Sequence, residues 1–84
     1  MTTVTITQLF NGDVAGRGQE TYRIESAGEL VTLLRQYDGA GEGWGRAVAM
    51  RDEDARALGA YETEAGELML DTAIGYVPVE RWED

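Results

Sequence analysis

The sequence predicts an α+β fold in which an antiparallel sheet of about four to five strands packs against one amphipathic helix, in the order ββαβββ. Two observations indicate this fold. Residues 26–39 form a single capped amphipathic stretch, and short alternating stretches rich in β-branched or aromatic residues precede and follow it. The helix is expected to cover one face of the sheet. With 84 residues, the chain is predicted to form a single domain, 1–84, with one modest core.

The first two strands are predicted to form a hairpin. Residues 3–10 alternate Val and Ile with Thr, and the alternation slips near Leu9, which indicates a bulge or the end of the strand. The Asn11-Gly12 pair is typical of a tight turn, because both residues tolerate positive φ. Glycines within residues 13–19 predict a long, irregular hairpin loop, and residues 21–25 predict the returning strand.

Residues 26–39 predict the helix. Ser26 is a suitable N-cap, and Glu29 stands where its side chain completes a capping box. An apolar stripe at helical spacing follows, formed by Leu30, Leu33, Leu34 and Tyr37 with Val31 at its edge. The Asp38-Gly39 pair is expected to end the helix, because glycine readily adopts the left-handed conformation.

The second half of the chain is predicted to contain short strands. The four glycines in residues 38–45 predict irregular structure, without the Lys-Ser/Thr pair of a phosphate-binding loop. Residues 46–51, 67–71 and 73–79 alternate and predict strands. Pro78 is expected to end the last strand or to place it at a sheet edge, because proline cannot donate a ladder hydrogen bond.

Residues 52–63 allow two interpretations. Asp52 could cap a short helix that runs through Leu58, or an exposed turn at residues 52–55 could lead into a strand over residues 57–63. We favour the strand, which makes the second half of the chain an antiparallel meander.

The composition argues against catalysis. The chain has no histidine, cysteine or lysine, and its only serine, Ser26, is explained as a helix cap. The usual general base near neutral pH and the usual thiolate or amine nucleophiles are therefore missing. Acidic residues do not follow the spacing of a calcium loop. We therefore predict that the protein is not an enzyme and that it has no cofactor and no metal site.

The net charge of −9 indicates the kind of partner. Sixteen acids oppose seven arginines, and the acidity is heavier towards the C-terminus. This charge repels nucleic acid and membrane surfaces and attracts a protein surface rich in Arg and Lys. Solubility or a halophilic origin would also explain the acids. The predicted partner-binding residues are the run of three acids at 52–54, the acids of the expected 62–71 hairpin and one tail aromatic: Asp52, Glu53, Asp54, Glu62, Glu64, Glu67, Asp71 and Trp82.

In size, charge and lack of catalytic residues, the chain resembles the small acidic inhibitors that phages make against host defence, such as anti-CRISPR and anti-restriction proteins. That resemblance implies a DNA mimic that occupies the basic channel of a nucleic-acid-processing complex. It also implies the host cytoplasm, and the absence of cysteine suits a reducing compartment. No N-terminal signal peptide and no apolar run of about 20 residues for a membrane span is expected.

Two other functions remain open from the sequence. The string ELVTLLRQYDG, followed by short strands ending in GYVPV, is similar to small actinobacterial-type immunity proteins, which neutralise toxins. Alternatively, the protein is a structural or accessory subunit that uses aromatic anchors on its uncovered sheet face to assemble with itself or with a larger protein. Those anchors would be Trp44, Tyr61, Tyr76 and Trp82. Under each of these functions, the protein is expected to be a monomer or a homodimer.

Overall fold

The computed structural model describes residues 2–37 and 41–82, and within them it contains six strands and two helices. The elements in chain order are β1 Thr2–Phe10, β2 Asp13–Ile24, α1 Ala27–Arg35, β3 Trp44–Met50, α2 Asp52–Ala57, β4 Tyr61–Glu62, β5 Leu68–Thr72 and β6 Gly75–Arg81. The predicted α+β class is confirmed. The predicted ββαβββ order is incomplete, because a second helix lies between β3 and β4.

The strands form one mixed sheet in the order β2-β1-β3-β6-β5-β4. Every neighbouring pair is antiparallel except β3 and β6, which run parallel with Val48 opposite Val79. The prediction of a purely antiparallel sheet of four to five strands is therefore wrong in detail. The chain leaves β3, passes through α2, β4 and β5, and returns as β6, which runs beside β3 in the same direction. Two parallel neighbours need a long crossover of this kind, because a tight turn would make them antiparallel.

The segment predicted as a long hairpin loop is part of β2. The hairpin turn is only Asn11-Gly12, and the 12 residues Asp13–Ile24 form one strand. Gly16 and Gly18 have φ values of +60° and +70°, so glycine at these positions lets the strand bend without ending. The β1–β2 register shifts between Thr7 and Leu9, which confirms the bulge predicted near Leu9.

Residues 52–57 form a helix, and the predicted strand over residues 57–63 is reduced to the two residues of β4. Three acids in the first turn and Arg56 in the last complement the helix dipole. Ala55 is fully buried, so the core contributes to the helical conformation. Arg51 occupies the N-cap position, which the alternative interpretation had assigned to Asp52.

Helix α1 begins as predicted. The Ser26 Oγ accepts a hydrogen bond from the Glu29 backbone N–H at 3.3 Å. The predicted capping box is wrong in its second bond, because the Glu29 carboxylate accepts from the backbone N–H of Glu25 at 3.0 Å, one residue before the cap. The helix ends at Arg35 with Gln36 as C-cap, and the predicted stop at Asp38-Gly39 lies outside the described residues.

The predicted strands over residues 46–51, 67–71 and 73–79 are confirmed, with their bounds shifted by one to two residues. The prediction for Pro78 is wrong, because β6 lies inside the sheet and continues to Arg81. Pairing between β6 and β3 starts at Val79, the residue after the proline. The missing proline N–H therefore falls just before this ladder begins.

Both helices contribute to one core on one face of the sheet. The stripe residues Leu30, Leu34 and Tyr37 are buried, Val31 joins them, and Leu33 is half-buried. Leu30, Leu34 and Tyr37 belong to a core layer, and Leu33 packs against it. This layer includes apolar residues of every strand except β4: Val4, Ile6, Ile24, Val48, Met50, Leu68, Leu70, Val77 and Val79. The alternate residues of the strands point to the opposite face, which no described helix covers.

Replacing Leu34 with Ala tests this packing. The side chain is fully buried, so we expect a loss of about 2–5 kcal/mol in the free energy of unfolding, measured by urea denaturation. Val14→Ala is the control, because Val14 is 64% exposed and should change stability by less than about 1 kcal/mol. Equal effects of the two substitutions would contradict the position of α1.

Candidate protein-binding surface

The face of the sheet opposite the helices displays an aromatic and apolar surface. We define the open-face patch as Tyr61, Met69, Tyr76 and Pro78, which lie on β4, β5 and β6. Tyr61 is directly opposite Met69, and Met69 is directly opposite Pro78, so their side chains share this face. Tyr76 is 73% exposed and Tyr61 is 42% exposed. Large exposed aromatic side chains of this kind are typical anchors of protein interfaces.

Acidic residues lie beside the open-face patch and in the turn that precedes β5. Asp71 lies opposite Tyr76, at one end of the patch. Glu80 follows Pro78 by two residues on β6 and lies opposite Ala49 of β3. Glu67 precedes β5, and Glu64 is exposed in the turn before it. We call Glu64, Glu67, Asp71 and Glu80 the acidic rim. Within residues 2–37 and 41–82, no arginine lies at ion-pair distance from any of them. Their charge is therefore available to a partner.

One hydrogen bond joins the rim to the patch. The Tyr61 hydroxyl donates to Asp71 Oδ1 at 3.2 Å. Partial burial raises the pKa of Tyr61, and the adjacent Asp71 carboxylate and Tyr76 raise it further. Tyr61 therefore remains a neutral hydrogen-bond donor at physiological pH.

Two of the predicted binding acids, Asp52 and Glu62, belong instead to an intramolecular ion-pair network on the helix side of the sheet. Arg81 Nε lies 2.9 Å from Asp52 Oδ1, and Arg81 Nη2 lies 2.6 Å from Glu62 Oε1. Arg56 contacts the same two carboxylates at 2.9 and 3.3 Å. The hydrogen bonds from Arg81 and Arg56 lower the pKa of Asp52. This network joins α2, β4 and β6.

The other predicted residues divide between two places. Glu64, Glu67 and Asp71 lie on the acidic rim, together with Glu80, which is not among the predicted residues. Glu53 and Asp54 lie in the first turn of α2, where Arg51 Nη1 lies 4.0 Å from Glu53. Trp82 is half-buried, and its backbone N–H donates to the Met50 carbonyl at 3.1 Å. The eight predicted residues therefore do not form one surface.

A second polar cluster links β2 to the end of α1. The Tyr22 and Tyr37 hydroxyls are 2.6 Å apart, and both donate to the Glu20 carboxylate. The Arg17 guanidinium lies over the Tyr37 ring, 4.9 Å from its centroid. These bonds from Tyr22 and Tyr37 lower the pKa of Glu20, and burial raises the pKa of Tyr22. Of this cluster, the sequence predicted only that Tyr37 lies on the apolar stripe of α1.

A third feature is the exposed end of the β1–β2–β3 ribbon. Phe10 and Trp44 are opposite one another, with their ring centroids 5.0 Å apart. Both are about 40% exposed, so Trp44 packs on a strand neighbour rather than in the core. Val14 is exposed nearby, opposite Leu9. This end is therefore a second exposed apolar surface, formed by Phe10, Val14 and Trp44.

Within the described ranges, no group of three or more Asp and Glu side chains has an arrangement suited to a metal ion. Neither α1 nor α2, the helices of the described part of the chain, has the length and apolarity needed to cross a bilayer. Comparison with protein-family models, curated proteins and solved structures finds no match to this chain.

The ion-pair network predicts a loss of stability in acid. Because Arg81 and Arg56 lower the pKa of Asp52 in the folded state, its stabilisation is present above the ordinary pKa of 3.8. It is lost as the pH falls through the lowered folded value. Asp52→Asn should therefore reduce the urea midpoint at about pH 7 and weaken its dependence on pH below about 4.

Glu64→Gln is the control for this experiment, because Glu64 has no arginine partner in the described structure. It should leave both the midpoint and its pH dependence close to wild type. An Asp52→Asn variant as stable as wild type at neutral pH would contradict the structural role of the network. The pKa of Glu20 is also lowered, so Glu20 contributes part of the pH dependence of stability in the wild-type protein and in both variants.

Proposed function

We propose that this protein is a non-catalytic inhibitor that docks its open-face patch on a basic surface of a nucleic-acid-processing protein. The observation that supports this function is the combination of two exposed tyrosines with four rim acids that lack arginine partners among the described residues. The aromatics supply contact area that excludes water, and the acids supply orientation and charge complementarity.

The acidic rim is suited to an arginine- and lysine-lined channel that normally holds phosphates. Two of its carboxylates, Asp71 and Glu80, lie on the neighbouring strands β5 and β6, and Glu67 directly precedes β5. Each can accept charge-assisted hydrogen bonds from a partner cation, as a phosphate oxygen does. The net charge of −9 adds long-range attraction, which increases the rate of encounter with such a channel. The protein thus acts as a DNA mimic, like the anti-CRISPR class that its composition resembles.

A toxin nuclease presents the same basic chemistry, so an immunity protein is the first alternative. A toxin gene next to the gene for this protein favours immunity, and a phage operon favours counter-defence. The second alternative is an accessory subunit that assembles through its aromatic side chains, and the 73% exposure of Tyr76 favours it. High salt distinguishes the accessory subunit from the inhibitor and the immunity protein, because ions screen attraction between charges but do not screen aromatic contacts.

Charge reversal of the rim tests the proposal. The triple variant Glu64→Lys, Glu67→Lys and Glu80→Lys should abolish binding to a basic partner while the fold persists, since these side chains form no described ion pair. Glu62 is left unchanged because it holds Arg81 and Arg56. The matched control reverses Asp13, Glu25 and Glu42, three exposed acids outside the patch, and changes the net charge equally.

The measurement is a pull-down from lysate of the organism that carries the gene, at low and high salt, with captured proteins identified by mass spectrometry. We expect to capture a nucleic-acid enzyme with the wild-type protein and with the control variant, but not with the rim variant. This enzyme should dissociate in high salt, and the wild-type protein should inhibit its activity. Circular dichroism verifies that both variants fold. A partner retained equally by the rim variant, or captured in high salt without inhibition, would refute the proposal.

A further inference from the structure

We propose that Asp71, Tyr76 and Tyr61 form a receptor for one arginine side chain of the partner. This inference rests on the proposed function and deepens it, because it names the group that the open-face patch recognises. General charge attraction accepts lysine and arginine alike. A built receptor for a guanidinium group distinguishes them.

The backbone places the receptor groups side by side. Asp71 and Tyr76 are directly opposite on β5 and β6, so their Cα atoms are about 4.5–5.5 Å apart and their side chains share the open face. Beside them lies a cavity of about 280 Å³, lined by Asp71, Thr72, Gly75 and Tyr76. Gly75 has a φ of +104°, which closes the hairpin without a side chain in this space.

The Asp71 carboxylate is oriented and only partly used. The Tyr61 hydroxyl donates to its Oδ1 at 3.2 Å, which restricts the rotation of the carboxylate. Its Oδ2 accepts no hydrogen bond from any residue in ranges 2–37 and 41–82. An oriented carboxylate with a free oxygen, next to a tyrosine that is 73% exposed, is complementary to a planar cation.

A tyrosine, a carboxylate and an arginine also lie together elsewhere in this chain. Tyr37 donates from its hydroxyl to the Glu20 carboxylate at 2.9 Å, and the Arg17 guanidinium lies 4.9 Å from the centroid of the Tyr37 ring. Tyr61 and Asp71 repeat the tyrosine-to-carboxylate hydrogen bond. No described arginine of this chain lies at ion-pair distance from Asp71, so the cation would come from the partner.

Arginine fits this arrangement better than lysine for two reasons. The guanidinium group is planar and stacks on an aromatic ring while its N–H groups donate in the ring plane to a carboxylate. The lysine ammonium is compact, strongly hydrated and without such a plane. The apolar stem of the arginine would lie over Met69 and Pro78, which continue the patch from Tyr76.

The experiment is an NMR titration of the ¹⁵N-labelled protein with two probes: the peptide acetyl-Gly-Arg-Gly-Arg-Gly-amide and its counterpart with lysine in place of arginine. We expect the arginine peptide to bind about threefold more tightly than the lysine peptide. Amide shifts should concentrate at Asp71, Thr72, Gly75 and Tyr76.

Single substitutions assign the contributions. Tyr76→Leu should make the two peptides equal in affinity, whereas Tyr76→Phe should retain the preference, because stacking needs the ring and not the hydroxyl. Asp71→Asn should weaken the arginine peptide more than Glu64→Gln does, although both variants remove one negative charge. Each variant is verified by its own amide spectrum, so loss of folding is distinguished from loss of binding.

The two proposals fail in different ways. Equal affinity of the arginine and lysine peptides for wild type, or shifts spread over other acids, would overturn the arginine receptor and leave charge-driven docking in place. Absence of binding by either peptide would also overturn the receptor. Failure of the proposed function is judged separately, by the pull-down in which the rim variant is compared with its matched control.

Discussion

The structure depends on one apolar layer between one face of the sheet and the two helices. A chain of 84 residues has enough buried side chains for a single such layer, and α1 and α2 both contribute to it. The opposite face of the sheet therefore has no described helix over it. This one-sided packing explains why Tyr61 and Tyr76 are exposed, and why a rigid strand framework is available for binding.

The acids of this chain have two different roles, which the net charge alone does not reveal. Asp52 and Glu62 are held by Arg56 and Arg81, and they join α2 to the edge of the sheet. The rim acids have no such partners among the described residues. Arginine distribution decides which acids stabilise the fold and which remain available for binding, because exposed ion pairs require close geometry and not only opposite charge.

The proposed inhibitor function and the proposed arginine receptor rely on preorganisation. The open-face patch lies on three hydrogen-bonded strands, so few backbone rotations need to be restricted when a partner binds. The Tyr61 hydroxyl orients the Asp71 carboxylate before any cation arrives. Under these two proposals, charge governs how fast a partner is found, and the aromatic and carboxylate geometry governs which cation of the partner is bound.

Local patterns in the sequence determined most elements of this protein: the Ser26 cap, the stripe of α1, the Asn11-Gly12 turn and most of the strands. Of the candidate site, they selected Glu64, Glu67 and Asp71 as acids but did not group them with Tyr76 or Glu80. Tertiary structure decided the parallel β3–β6 pairing, the helix at residues 52–57 and the arginine partners of Asp52 and Glu62. These features depend on contacts between residues distant in sequence, whereas caps, turns and alternation depend on neighbours a few residues away.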